Sequence, residues 1–309
     1  TMVMDQMILT VVPEPAVNAG PDASICQGGT YVLAAASANN YASVTWSGGT
    51  GSFSNVNAVN PVYTPGPAET GTVILTLTVA GNSPCGSVAD QMTLTIDTSP
   101  VISAGLDVAV CESALPVTLS GSSATGATSV LWTTDGTGTF SDPTLLHPVY
   151  TPTLSDIEDG QVVLTMTANG GAACNPVSDA MVLTIWREAT AFAGQDSVVC
   201  ANNSYHVTDA HATNYTSVSW SVTQGTGTLL GSNTLAPIYQ PGLNETGAVI
   251  LTLTVTPVGN CLQVTDAVTI TYKPCTIFAN NDLSTGNVPG SNATVNVLSN
   301  DELFDGSTP

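Results

Sequence analysis

One run of residues recurs three times and limits what the rest of the chain can become. Val73-Ile74-Leu75-Thr76-Leu77-Thr78-Val79 returns as Val162-Val163-Leu164-Thr165-Met166-Thr167-Ala168 and again as Val249-Ile250-Leu251-Thr252-Leu253-Thr254-Val255. From Val73 every second residue is apolar, and the positions between carry Ile74 and then threonines. That alternation is the period of a strand with one buried and one wetted face. β-Branched side chains, already stiff at the first torsion, suit such a pleated surface. Copies about 88 residues apart imply a β domain of ordinary size repeated along the chain.

Other landmarks keep the same order around each copy. An Ala-Gly-x-Asp turn (Asp22, Asp107, Asp196) precedes a cysteine, and a lone tryptophan follows (Trp46, Trp132, Trp220). A Gly-Thr-Gly turn, an extended Pro-x-Tyr-x-Pro segment (Tyr63, Tyr150, Tyr239), the recurring strand, a second cysteine and a closing strand complete the unit. No stretch shows helical periodicity. Seven or so short strands with one large aromatic on the third describe an immunoglobulin-like sandwich. The expected architecture is therefore all-β, with tandem β-sandwich domains in an elongated array. Its expected divisions are 12–100, 101–187 and 188–274. Residues 5–11 match Asp90-Gln91-Met92-Thr93-Leu94-Thr95-Ile96, so 1–11 is expected to be the last strand of a preceding repeat. The three tryptophans and three tyrosines are expected as core anchors, since one buried ring anchors a small two-sheet domain.

Six cysteines fall two to a repeat, which predicts the intradomain bridges Cys26–Cys85, Cys111–Cys174 and Cys200–Cys261, with Cys275 left over. Such bridges imply an oxidising, extracellular setting at the cell surface. Zinc is the rival reading. The chain lacks close Cys-x-x-Cys pairs, and His147, His206 and His211 occupy unrelated positions.

Two basic residues stand against 23 acidic ones, for a formal net charge of −21. This excludes nucleic acid, whose phosphates need several Lys or Arg to displace counterions, and opposes an anionic membrane surface. No run approaches the length of an apolar membrane span, and Thr1-Met2-Val3-Met4-Asp5 lacks the basic start of a signal peptide. The Gly-Thr-Gly turns have no following Lys and helix, so they are not phosphate loops. No histidine, nucleophile and carboxylate recur together, so no catalytic residues are expected.

Trp46-Ser47-Gly48-Gly49-Thr50-Gly51, the Tyr-Thr-Pro segments and the Leu-Thr-Leu-Thr-Val strand resemble the PKD-like, immunoglobulin-fold repeats of very large secreted Bacteroidota surface proteins. The resemblance covers residues 1 to 274. It implies a gliding-motility or adhesion protein exported by the type IX secretion system. The stretch Phe278-Ala279-Asn280-Asn281-Asp282, with Ala293 to Asp301 and Asp305-Gly306, resembles the start of a bacterial cadherin-like domain over 275–309.

Calcium is the one cofactor worth weighing, because hard cations take carboxylate and carbonyl oxygens. The candidate ligands are Asn281, Asp282, Asn300, Asp301 and Asp305, and in the second repeat Asp156, Glu158 and Asp159, the latter read as a solvated acidic loop. The repeated Asp22, Asp107, Asp196 and Asp90, Asp179, Asp266 read as turn-fixing residues. The expected function is a non-catalytic stalk segment of a surface adhesin or gliding filament. Its expected partners are other surface or filament proteins, surface glycans, or copies of itself assembled side by side. The alternatives are a carbohydrate- or protein-binding module, or the spacer of a secreted enzyme.

Overall fold

The computed structural model describes Met2 and residues 4–274, with the backbone of the short pair Ile277–Phe278 and Glu302–Leu303. In the first repeat the strands are β1 (Ala16–Asn18), β2 (Ala23–Cys26), β3 (Tyr31–Val32), β4 (Ser37–Asn39), β5 (Tyr41–Ser47), β6 (Ser52–Phe53), β7 (Val62–Thr64), β8 (Gly71–Gly81) and β9 (Ser87–Asp97). One sheet has the order β2-β9-β8-β5, a second has β3-β7-β6, and β1 pairs with β4. β2 runs parallel to β9, from Ala23 opposite Leu94 to Cys26 opposite Asp97. The same sheets are built twice more. In the second repeat the larger sheet orders Val108–Cys111, Val177–Trp186, Gln161–Asn169 and Ser129–Thr134. In the third it orders Ser197–Cys200, Val264–Lys273, Gly247–Pro257 and Tyr215–Gln224. The chain is thus an all-β protein of tandem immunoglobulin-like sandwiches.

The recurring run is the long strand β8 and its counterparts. Its alternate residues Val73, Leu75, Leu77 and Val79 are buried against Met92, Leu94 and Ile96 of β9 and against Trp46. Trp46, Phe53 and Tyr63 follow one another with ring centroids 5.9 and 4.9 Å apart, and Trp132, Phe140 and Tyr150 at 6.1 and 5.1 Å. Aromatic contacts at such spacings add to what area burial alone contributes. Trp46, Trp132 and Trp220 are 2, 2 and 5% exposed and Tyr63, Tyr150 and Tyr239 are 0% exposed, so none of these rings offers a face for stacking on a sugar.

The chain forms two compact units, residues 1–108 with 116–184, and residues 109–115 with 185 onward. Segment 5–11, expected as a strand, has no ladder partner among the described residues. A strand needs a neighbour for its backbone groups, and nothing here stands to this segment as β8 stands to β9. One helix does form: α1, Leu154–Asp159, which the reading of periodicity missed because six residues are too few to show one. Local chemistry makes it. Thr153 caps the N-terminus in a capping box with Asp156, and Gly160 ends the helix at φ 78°, a left-handed conformation that glycine adopts without steric cost.

The second repeat differs from its neighbours at one core-edge position. Tyr31 stands opposite Tyr63 and Tyr205 opposite Tyr239, but Val117 stands opposite Tyr150. Beside Val117 lies a cleft of about 430 Å³ whose walls include Leu106, Val108, Leu119 and Met181. Val117→Tyr is therefore expected to stabilise the first unit by about 1 kcal/mol, as a ring takes up space already present. A rise in the urea midpoint with unchanged slope is the readout.

Candidate functional site

The candidate site is structural: the junctions at which one repeat meets the next, and the clamps that hold each repeat's ends in shape. The parallel pairing of β2 with β9 decides the cysteine chemistry. It carries Cys26 level with Asp97, to the end of the sandwich where the chain leaves for the next repeat. Cys85 lies in the β8–β9 turn, at the opposite end of β9. The 11 residues of β9 separate the two by about 35 Å, far beyond the Cα spacing of about 4.4–6.8 Å that a disulfide spans.

The intradomain pairing is accordingly wrong. Cys26 is bonded to Cys174, with Cα atoms 4.8 Å apart, and Cys111 to Cys261 at 5.6 Å. Each bridge runs from the end of the first parallel strand of one repeat to the hairpin turn of the following repeat. Cys26–Cys174 falls within the first compact unit and Cys111–Cys261 within the second. Cys26–Cys85, Cys111–Cys174 and Cys200–Cys261 therefore do not form. Cys200 is disulfide-bonded, Cys85 is a free thiol, and Cys275 lies outside the described residues. Pairing by sequence proximity missed this because spacing alone does not show that β2 is parallel to β9.

The surroundings of the Cys26–Cys174 bridge are built to fit. Asp97 accepts a hydrogen bond from the backbone N–H of Ala173 at 3.0 Å, and its carbonyl oxygen lies 3.6 Å from Cys174 Sγ. Ser99 Oγ lies 3.0 Å from Cys26 Sγ. Gly171 packs so closely on Asp97 that a Cβ there would come within 2.2 Å of its carboxyl carbon. Beside Cys261, Gly259 takes the corresponding place against the ring of Trp186. The linker of the second unit is also pinned. Glu188 accepts from the Ser113 N–H at 3.2 Å, donates its own N–H to Glu112 at 3.3 Å, and receives the Asn214 side-chain amide on its carbonyl at 2.8 Å.

The recurring aspartates act over long range rather than within local turns. Asp90 accepts from the Ala19 N–H at 2.8 Å while Asp22 accepts from the Thr93 N–H at 2.7 Å. Asp179 with Ala104 and Asp107 with Val182 repeat the exchange, as do Asp266 with Ala193 and Asp196 with Thr269. Each reciprocal pair fastens the Ala-Gly-x-Asp turn to the closing strand, and so fixes the register that delivers the first cysteine to the junction.

A second device explains the Gly-Thr-Gly turns. Tyr63 donates its hydroxyl to Glu69 at 2.7 Å, and Glu69 also accepts from the N–H groups of Thr50 at 2.6 Å and Gly66 at 3.0 Å. Tyr239 with Glu245 does the same with Thr226 and Gly242. In the second repeat Asp156 takes this role, accepting from Tyr150, Thr137 and Thr153. The glycines are required because the tyrosine hydroxyl fills their side-chain space: a Cβ on Gly49 would lie 1.9 Å from Tyr63 Oη, and one on Gly138 2.5 Å from Tyr150 Oη. Asp156, read as part of an acidic loop that could bind calcium, is buried at 1% exposure and committed to this clamp. Among the described residues no group of three or more His, Cys, Asp or Glu is arranged to hold a metal ion. Asn281, Asp282, Asn300, Asp301 and Asp305 lie outside the described residues.

The clamp sets the pH response. Burial alone would raise the carboxyl groups of Glu69, Asp156 and Glu245, but the donated N–H and O–H groups outweigh it and hold all three below their ordinary range. Burial first, then the partner carboxylate, pushes Tyr63 and Tyr239 up to about 12. On acidification the unfolded chain takes up protons first, so the stability these carboxylates contribute is full above the ordinary carboxylate range and is lost as pH falls through their lowered values. On the alkaline side the unfolded tyrosines ionise first, so stability declines as pH rises from about 10 towards about 12. The urea midpoint is expected to stay level between these limits and to fall outside both; a midpoint unchanged from pH 7 to 3 would contradict the clamp.

No protein-family model matches the chain, and no curated protein sequence does. Solved structures do. The chain is similar to the I-band fragment I67-I69 from titin at 16% identity and a TM-score of 0.53, covering 85% of this chain and 100% of that one. It is also similar to a Glu-to-Ala variant of the three immunoglobulin domains I67-I69 of titin, at 15% identity and a TM-score of 0.52, over 84% and 98% of the two chains. These likenesses establish a tandem immunoglobulin fold.

Proposed function

We propose that this chain is a non-catalytic stalk segment of an extracellular surface adhesin or gliding-type filament, with repeats 12–100, 101–187 and 188–274 as its units. The observation that supports it is the covalent tie from each repeat to its successor, Cys26–Cys174 and Cys111–Cys261, in addition to the peptide linker. Disulfides persist in oxidising compartments, and a second covalent connection between neighbours is of use where an array is pulled. Burial of Trp46, Trp132 and Trp220 removes the aromatic faces on which glycan binding would rest. Among the described residues no helix is long and apolar enough to cross a membrane. Proteins of the same surface or filament are the partners this reading implies.

Single-chain stretching tests it. The shortest covalent route from residue 4 to residue 174 leaves the backbone at Cys26 and crosses the bridge to Cys174. That route is roughly 75 Å when taut, against roughly 580 Å for the backbone alone. Unfolded, oxidised chains are expected to stop near the shorter length and reduced chains near the longer. Equal final lengths with and without reductant would remove the basis of the proposal.

A further inference from the structure

We propose that Cys85 and segment 5–11 together form the docking site for one further sandwich of this same type, with a cysteine at the end of its first parallel strand bonded to Cys85 and with 5–11 as its closing strand. This goes beyond the stalk reading and does not depend on it.

Two independent observations identify the same partner. The first is the place of Cys85. Its equivalents Cys174 and Cys261 are each bonded to a cysteine 148 and 150 residues earlier, whereas Cys85 is free and partly exposed. Its sulfur lies 3.7 Å from Val12 O and 3.7 Å from Pro13 O. Aligning Asp5 with Asp90 puts Val12 where Asp97 stands, and Asp97 O lies 3.6 Å from Cys174 Sγ. The thiol therefore already rests on the chain end that, one repeat later, carries the bonded pair.

The second observation is a bare core face. In the same alignment Met7, Leu9 and Val11 correspond to Met92, Leu94 and Ile96. The latter three are buried at 2, 0 and 1% exposure, and the former are 88, 77 and 80% exposed. These apolar residues sit at strand spacing on a segment with no ladder partner. Within this chain, what covers that face is a strand like β8 and the core behind it. The partner is thus a β-sandwich with its own β8-like strand, not a flat apolar surface. The bond forms by exchange: the Cys85 thiolate attacks a mixed disulfide between the partner cysteine and glutathione, one S–S bond forms as one breaks, and glutathione leaves as thiolate. Oxidised glutathione supplies the oxidising equivalents.

The test is a chain in which a copy of residues 101–178, its own Cys174→Ser, is placed directly ahead of Asp5 of the full sequence. The graft lacks a closing strand, and its Cys111 lies about 148 residues before Cys85, the separation of the observed bridge. After refolding in a glutathione redox buffer, Cys85 is expected to resist iodoacetamide and to appear in non-reducing peptide maps linked to the grafted Cys111. The amides of residues 5–11 are expected to gain protection from hydrogen exchange. In the unextended chain Cys85 should alkylate fully and those amides should exchange freely. Unprotected 5–11 amides in the extended chain overturn the strand assignment. A second chain, residues 101–187 with Cys174→Ser followed by Glu14 onward, keeps the graft's own last strand and reads the cysteine separately. Cys85 still alkylated there, with the graft folded by circular dichroism, overturns the bridge.

Discussion

A chain carrying Cys26→Ser together with Cys174→Ser is expected to lose about 5 kcal/mol of stability from its first unit, the loop-closure entropy for a ring of this size in the chain-entropy model. The ring closes 148 residues, more than a whole repeat. Its loss should also change the form of the transition. With the bridge, unfolding either repeat leaves its chain tied to a folded neighbour. Without it, the only covalent tie between the first two repeats is the Thr98-Ser99-Pro100 linker. Differential scanning calorimetry should then show the first transition moving down and separating from the others. Alkylation of the reduced wild-type protein should reproduce the shift; a double variant melting at the wild-type temperature would show that the bridge constrains nothing.

The second large effect is expected at Glu245. Its carboxylate accepts from Tyr239, Thr226 and Gly242 at 2.8, 2.5 and 2.8 Å, and the residue is 8% exposed. Glu245→Ala leaves those donors without their acceptor in a site mostly closed to water. An unsatisfied buried donor costs about 1–3 kcal/mol, so a loss of about 3 kcal/mol from the third repeat is expected. Glu245→Gln keeps an oxygen acceptor but not the charge, and should cost about half as much, since hydrogen bonds to an ionised group are roughly twice as strong as neutral ones. Tyr239→Phe removes one bond and should cost least, about 1 kcal/mol. Urea denaturation of the three variants gives the order; equal midpoints for Glu245→Ala and wild type would dismiss the clamp.

The fold was legible because three copies of one alternating run leave little choice: strands buried on one face must pair and stack. The aromatic anchors were legible for the same reason, as Trp46, Trp132 and Trp220 keep one place within the repeat. The cysteine pairing was not. Two cysteines per repeat invite a local bond, and only the parallel run of β2 beside β9 shows that they lie at opposite ends of the sandwich. The clamp carboxylates were hidden by their variation, glutamate at Glu69 and Glu245 but aspartate at Asp156, the last carried by the first turn of a short helix. The reciprocal aspartates were visible as a pattern. Their partners were not, because a bond between residues 71 to 75 positions apart leaves no local trace.

The offset of the bridges has a consequence for how such a chain matures. Cys26 cannot find its mate until its own sandwich and most of the next have been made, so its oxidation trails synthesis by a full unit. During that interval Cys85 is the nearer thiol along the chain. What keeps the two apart is the completed β2–β9 pairing, which holds them at opposite poles. Correct bridging therefore requires that each sandwich be folded before its leading sulfur is oxidised. An oxidant acting too early would trap the neighbouring thiols together and leave a unit unable to close its sheet.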